Sequence, residues 1–103
     1  MSDLKERPHL SLLQQKREDI LAIAQKHGAK NVRIFGSVAR GEAGKDSDID
    51  FLIDYDLDKI SPWFPAGLLL DLEALLGVRV DVATVDMLKA RIKEQVLQEA
   101  IAL

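Results

Sequence analysis

Apolar positions along this chain alternate between the period of a helix and the period of a strand. Ser11 followed by Gln14 matches a capping box, so a first helix is expected from Ser11 to about His27, with Gly28 as its stop. The later elements are expected as strand 32–35, helical turn 38–42, strand 48–55, helix 66–76, strand 78–83 and a last helix capped by Asp86. This order, αβαβαβα, predicts an α/β (α+β) fold with a small mixed sheet flanked by helices.

The length and composition are those of a small globular domain. The 103 residues predict a single domain, 1–103, with residues 1–9 as a loose lead-in. A net charge of −3 gives no general attraction to nucleic acid or to an anionic membrane, so neither is expected as a partner. The sequence contains no cysteine, which excludes disulfides and zinc–thiolate sites. Without a hydrophobic signal segment at the N-terminus, the expected location is the cytoplasm.

A tight glycine turn precedes two aspartates that are two residues apart. Gly36 and Ser37 follow a predicted strand that ends at Phe35, whereas Asp48 and Asp50 begin the next strand. Side chains two apart on a strand point to the same face, so the two carboxylates are expected side by side. Each would disfavour ionisation of the other unless a cation lay between them. Since a Gly-Ser turn offers N–H groups and a hydroxyl to phosphate, the pattern indicates Mg²⁺-nucleotide chemistry.

The spacing of these residues resembles a known signature. Gly36-Ser37-x-x-Arg40-Gly41 followed by Ser47-Asp48-x-Asp50 is similar to the motif of the DNA polymerase β-type nucleotidyltransferase superfamily. The short length and the sequence of residues 39–43 look most like those of its minimal nucleotidyltransferases (MNT), the antitoxins paired with HEPN toxins. The resemblance extends from about residue 32 to about residue 83, where Asp81 is the candidate for the third carboxylate of the family.

Catalytic and metal-binding roles are accordingly expected for Asp48, Asp50 and Asp81. The first two could hold two metal ions about 3.5–4 Å apart. Asp81, arriving from a neighbouring strand, could complete the site and help to deprotonate the attacking hydroxyl. Hard oxygen ligands suit Mg²⁺, with Mn²⁺ as an alternative, and the resemblance implies the same assignment for the three aspartates.

Nucleotide binding is expected from the glycine turn. Gly36 lets the backbone approach the triphosphate, Ser37 can present its hydroxyl and N–H, and Arg40 lies one turn further on. Lys45 is a weaker candidate for the role of Arg40, which is to contact the negatively charged phosphates. That the nucleotide is ATP is implied by the resemblance alone.

Each of these features also has an ordinary explanation when it is taken alone. The glycine turn could be a simple connection, the paired aspartates a solvated strand edge, and Asp81 an exposed strand residue. Arg33 could face either the cleft or solvent, and Trp63-Phe64 could be core or an exposed interaction patch. It is the agreement of several independent signals that favours an active site.

Two classes of function remain open after this comparison. The leading hypothesis is a nucleotidyltransferase that moves AMP from ATP onto a hydroxyl. The resemblance implies that the acceptor is a tyrosine of a cognate HEPN ribonuclease toxin and that the chain is its antitoxin. The alternatives are an antitoxin that neutralises by binding alone, through apolar surface such as Trp63-Phe64, and a small-molecule nucleotidyltransferase.

Overall fold

The computed structural model describes residues 8–42 and 48–103, so Lys45 and Ser47 lie outside the described residues. Within these ranges, helices and strands follow one another nearly as the sequence predicts. They are α1 (Pro8–Gln15), α2 (Arg17–Lys26), β1 (Ala29–Phe35), α3 (Gly36–Arg40), β2 (Ile49–Tyr55), α4 (Ala66–Leu76), β3 (Val80–Thr84), a 3₁₀ turn (Val85–Met87), α5 (Ala90–Glu99) and β4 (Ile101–Ala102).

The four strands form one mixed sheet in the order β3-β2-β1-β4. Strands β2 and β3 are parallel, whereas β1 pairs antiparallel with both β2 and β4. The predicted fold class, a small mixed sheet flanked by helices, is confirmed. Because β1 runs antiparallel to β2, the turn at the end of β1 lies beside the start of β2, with Phe35 opposite Asp50.

The core lies on one face of the sheet, against α2 and α4. Ile49, Phe51 and Ile53 alternate along β2 and are buried, as is expected for one face of a strand. They belong to the same buried cluster as Ile20 of α2 and Leu68 of α4. Burial of each large apolar side chain contributes about 1.5–3 kcal/mol, so this cluster fixes the register of β2 and with it the placement of the intervening aspartate.

The N-terminal prediction needs two corrections. The first helix begins at Pro8, so Ser11 lies inside it and does not cap it, and Pro8 and His9 are helical rather than part of a lead-in. Proline suits the first turn of a helix because its missing N–H would have no partner there. The expected single helix is also divided at Lys16, although the Lys16 N–H still donates to the Leu12 carbonyl at 3.0 Å.

The C-terminal part differs more from expectation. Asp86 does not cap the last helix, because it lies in the 3₁₀ turn and accepts hydrogen bonds from the hydroxyls of Thr84 and Tyr55. Helix α5 begins only at Ala90. Strand β4 was not predicted, since two residues are too few to show an alternation.

The helix α4 and the segment before it leave apolar side chains in contact with solvent. Trp63 is 78% exposed and Leu70 is 62% exposed, whereas Phe64 packs against the core with its ring 5.3 Å from that of Tyr55. The pair Trp63-Phe64 is therefore divided between surface and core. Across the described ranges, no helix combines the length and apolar character that crossing a bilayer requires.

Candidate active site

Asp50 and Asp81 lie side by side on the parallel strands β2 and β3, where they are register partners. Val80 and Val82 are buried on the core side, which places Asp81 on the opposite face. The alternation that predicted Asp81 on the face opposite its valine neighbours, and on a strand next to that of Asp50, is confirmed by this geometry.

Asp50 lies in an environment that resists its ionisation. Burial raises the pKa of Asp50 to about 6, and the charges of Asp81 and Asp48 act in the same direction, while Arg40 opposes them. A carboxyl that is half-buried among other carboxyls gains most from a nearby cation. The site is thus electrostatically prepared for a positively charged ligand.

Asp48 lies directly before β2 and is paired with Arg79, which precedes β3. The Arg79 Nε lies 3.1 Å from the Asp48 Oδ1, and both side chains are exposed. Exposed ion pairs contribute only about 0–1 kcal/mol, so this one can be exchanged for a stronger ligand. In the part of the chain that the structure describes, no three His, Cys, Asp or Glu side chains are grouped to hold a metal ion. The structure brings Asp50 and Asp81 together and leaves Asp48 with Arg79.

The glycine turn fits closely against Asp50. Gly36 has a φ of 76°, in the left-handed region, and a Cβ added to it would collide with the Asp50 Oδ2. Glycine is needed here for both its φ and its lack of a side chain. The turn that was expected to approach a phosphate is therefore built directly onto one of the predicted metal ligands.

Ser37 and Arg40 lie on the short helix α3 that follows this turn. Ser37 is partly buried in its first turn. Arg40 donates from Nε to the Glu42 Oε1 at 2.9 Å, and its Nη1 lies 3.2 Å from the Glu99 Oε1. The guanidinium that was expected to contact a phosphate is thus held between two carboxylates.

Residues 16–103 match the family profile described as nucleotidyltransferase domain. The chain belongs to this nucleotidyltransferase family. The predicted family and the predicted enzyme class, nucleotidyltransferase, are confirmed.

Relatives of this nucleotidyltransferase include two archaeal proteins with related names. A protein of Methanocaldococcus jannaschii, provisionally named protein adenylyltransferase MJ0435, is 39% identical over 85 residues, which cover 82% of this chain and 90% of the relative. The protein adenylyltransferase MntA of Thermococcus cleftensis is 38% identical over 81 residues, covering 77% of this chain and 79% of the relative.

Two solved structures are similar to this chain. A protein provisionally described as a minimal nucleotidyltransferase is 49% identical and superposes with a TM-score of 0.80, covering 91% of this chain and 95% of the other. A toxin–antitoxin crystal structure with AMP-PNP contains a chain that is 20% identical, with a TM-score of 0.68, covering 82% of this chain and 69% of the other. The second comparison supports the fold alone.

Two residues of this nucleotidyltransferase site were missed by the sequence analysis. Glu99, at the end of α5, accepts a hydrogen bond from the Gly36 N–H at 2.8 Å and contacts Arg40. Arg79 pairs with Asp48. An arginine two residues before Asp81 could have been suspected from its position, whereas nothing in the local sequence marks Glu99, which lies 63 residues from Gly36.

Arg33, which could have faced the cleft, has a structural partner instead. Its Nη2 lies 2.8 Å from the Asp54 Oδ1, and its side chain is only 15% exposed. Asp54 lies within β2. The pair therefore links β1 to β2.

Proposed function

We propose that this nucleotidyltransferase transfers AMP from ATP to a hydroxyl group of a partner protein. The observation that carries the proposal is the register pair Asp50–Asp81 with the Gly36 turn packed against it, since an anion-binding turn and paired carboxylates are what a metal-nucleotide complex requires. The names of the two archaeal relatives favour a protein as the acceptor.

The donor set of the site fits a divalent cation such as Mg²⁺. Asp50 and Asp81 offer hard oxygen ligands. Burial, together with the charges of Asp81 and Asp48, raises the pKa of Asp50, and a bound cation would favour its charged form. Asp48 would join them by leaving Arg79. Two Mg²⁺ ions, or Mn²⁺, held by these three aspartates would stabilise the negative charge that develops on the attacking and leaving oxygens.

The remaining roles fall to residues of the turn and of β3. Ser37 would contact the phosphates with its hydroxyl and N–H, beside the Gly36 backbone, and Arg40 would neutralise phosphate charge. The acceptor oxygen forms a bond to the α-phosphorus while the bond from that phosphorus to the diphosphate oxygen breaks. Asp81 would take the hydroxyl proton and pass it to solvent, leaving AMP-protein and diphosphate.

The proposed acceptor is a tyrosine of a cognate HEPN ribonuclease toxin, and modification would inactivate the toxin. This chain would then be the antitoxin of a HEPN/MNT pair. The proposal is supported by the sequence resemblance to the MNT antitoxins and by the similarity to the Thermococcus protein named MntA.

Transfer can be tested with ATP that carries the label on either the α- or the γ-phosphate. The proposal predicts that label from the α-phosphate, and not from the γ-phosphate, becomes attached to the toxin when this chain and Mg²⁺ are present. Asp48→Asn, Asp50→Asn and Asp81→Asn should each abolish the labelling. Undiminished labelling by all three variants would refute the mechanism.

A second candidate function is neutralisation by binding without catalysis. It is favoured by the exposed apolar side chains of Trp63 and Leu70, which suit a protein interface better than solvent. The two functions differ in one observable. An Asp48→Asn/Asp50→Asn variant that still binds the toxin and still protects cells from it would favour the second candidate.

A further inference from the structure

Glu99 connects the C-terminal helix to the two parts of the site that are expected to meet the phosphates. Its side chain is only 15% exposed. Its Oε2 accepts the Gly36 N–H at 2.8 Å, and the Arg40 Nη1 lies 3.2 Å from Oε1 and 3.3 Å from Oε2. One carboxylate therefore holds both the backbone of the turn and the guanidinium one helical turn later.

The position of Glu99 is unfavourable for its own helix. It is the last residue of α5, where the negative end of the helix dipole disfavours a carboxylate, and no basic residue of the last turn compensates. A carboxylate that is largely shielded from solvent must also recover its lost hydration through hydrogen bonds. Gly36 and Arg40 supply these bonds, so the charge is held in place by the site and not by α5.

The backbone after Glu99 is fixed relative to β1. Ile101 of β4 pairs with Ile34, Ala102 pairs with Arg33, and the Leu103 N–H donates to the Val32 carbonyl at 2.9 Å. The carboxylate is consequently attached to the strand that delivers the glycine turn. Such a doubly fixed group can hold the turn in one conformation before a ligand arrives.

We infer that Glu99 is a positioning residue of the nucleotide site, which holds the Gly36 amide and the Arg40 guanidinium in the arrangement that binds the phosphates of the nucleotide. The inference rests on the proposed function, because it assigns a purpose to a contact within the proposed site. Glu99 acts through Gly36 and Arg40 and does not itself touch the substrate.

The binding of Mg·AMP-PNP to the full chain provides the first test. Glu99→Ala removes both contacts and is expected to raise the dissociation constant about tenfold, because the part-buried Gly36 N–H loses its acceptor and Arg40 keeps only Glu42 as a partner among the residues that the structure describes. Loss of a negative charge alone would tighten the binding of an anionic nucleotide, so weaker binding cannot arise from charge. Glu99→Gln keeps an acceptor for Gly36 and should stay within about threefold of the wild type.

Glu94→Ala is the matched control, since it removes the same charge from an exposed position of the same helix. It should leave the dissociation constant unchanged. A Glu99→Ala protein that binds the nucleotide as tightly as the wild type, or more tightly, would overturn the inference. In the latter case Glu99 would be a competitor of the phosphates.

Amide exchange of Gly36 in the nucleotide-free protein gives a readout that does not depend on the proposed function. The Gly36 amide should be protected in the wild type and in Glu99→Gln and should exchange at least about tenfold faster in Glu99→Ala. Unchanged protection in Glu99→Ala would show that Glu99 does not hold the Gly36 amide. A wild type that binds no Mg·AMP-PNP would instead contradict the proposed function, while the exchange measurement would still decide whether Glu99 holds the turn.

Discussion

Asp50 and Asp81 are register partners on the parallel strands β2 and β3, so their carboxyls share one face of the sheet. The apolar neighbours of each residue are buried on the other face, which means that neither aspartate can turn away without a shift in register. Packing of the core thus holds together two groups whose charges repel each other. In the proposed function, these two carboxylates bind the metal ions.

Asp50→Asn should abolish transfer and at the same time stabilise the metal-free protein at neutral pH. The substitution removes a half-buried charge that the fold disfavours, a gain on the order of 1 kcal/mol once solvent screening is allowed for. Thermal unfolding in EDTA should show a midpoint higher by a few degrees. Asp58→Asn, at an exposed position of the following turn, should change neither property. A less stable Asp50→Asn protein would contradict the electrostatic description of the site.

The stability difference between the wild type and Asp50→Asn should depend on pH. Because the folded-state pKa of Asp50, about 6, is above its ordinary value of 3.8, the folded protein binds more protons than the unfolded chain between these values. The contribution of Asp50 to stability is therefore present below about pH 4 and is lost as the pH rises through 6. Chemical denaturation of both proteins at pH 4 and pH 7.5 should show a gain for the variant only at the higher pH.

Gly36→Ala should destabilise the protein more than the same substitution at a glycine that also has a positive φ but has free space around its added Cβ. The new Cβ would meet the Asp50 carboxylate in addition to the strain of a positive φ. Gly77→Ala is the matched control, since Gly77 has a φ of 71° and nothing lies within 4 Å of its added Cβ. We expect a loss of about 1 kcal/mol for Gly77→Ala and at least about 2–3 kcal/mol for Gly36→Ala. Equal losses at the two positions would mean that Asp50 does not lie against the turn.

Arg79→Ala should increase the apparent affinity of the site for Mg²⁺. Arg79 now pairs with Asp48 and competes with any cation for its oxygens. Removing an exposed ion pair of about 0.5 kcal/mol frees Asp48 and should tighten Mg²⁺ binding about twofold or more, with little change in stability. Calorimetric titration with Mg²⁺ would measure this, with Arg91→Ala on α5 as a control for the loss of positive charge. Weaker Mg²⁺ binding by Arg79→Ala would contradict the view that Arg79 competes with Mg²⁺ for the Asp48 carboxylate.

The parts of the site that could be predicted are those fixed by local periodicity. The apolar neighbours place Asp50 and Asp81 on strands and predict which way they face. Asp48, predicted to begin the second strand, lies directly before it. Fold class follows from the same alternation. Such signals are local, so they identify the elements that carry the chemistry.

The features that sequence reasoning missed depend on contacts between distant residues or on very short elements. Glu99 meets Gly36 across 63 residues, and only the pairing of β4 with β1 brings α5 to that position. The helix predicted from Ser11 begins at Pro8 because proline is tolerated in a first turn, and Asp86 serves the 3₁₀ turn rather than α5. Capping patterns were therefore less reliable here than the alternation of the strands.

The measurement that tests the central claim most directly is the intact mass of the candidate HEPN partner after incubation with this chain, ATP and Mg²⁺. We predict a rise in mass by whole AMP increments, absent when Asp48→Asn/Asp50→Asn replaces the wild type. A partner that forms a stable complex with the wild type and keeps its original mass would contradict the transfer of AMP to that protein.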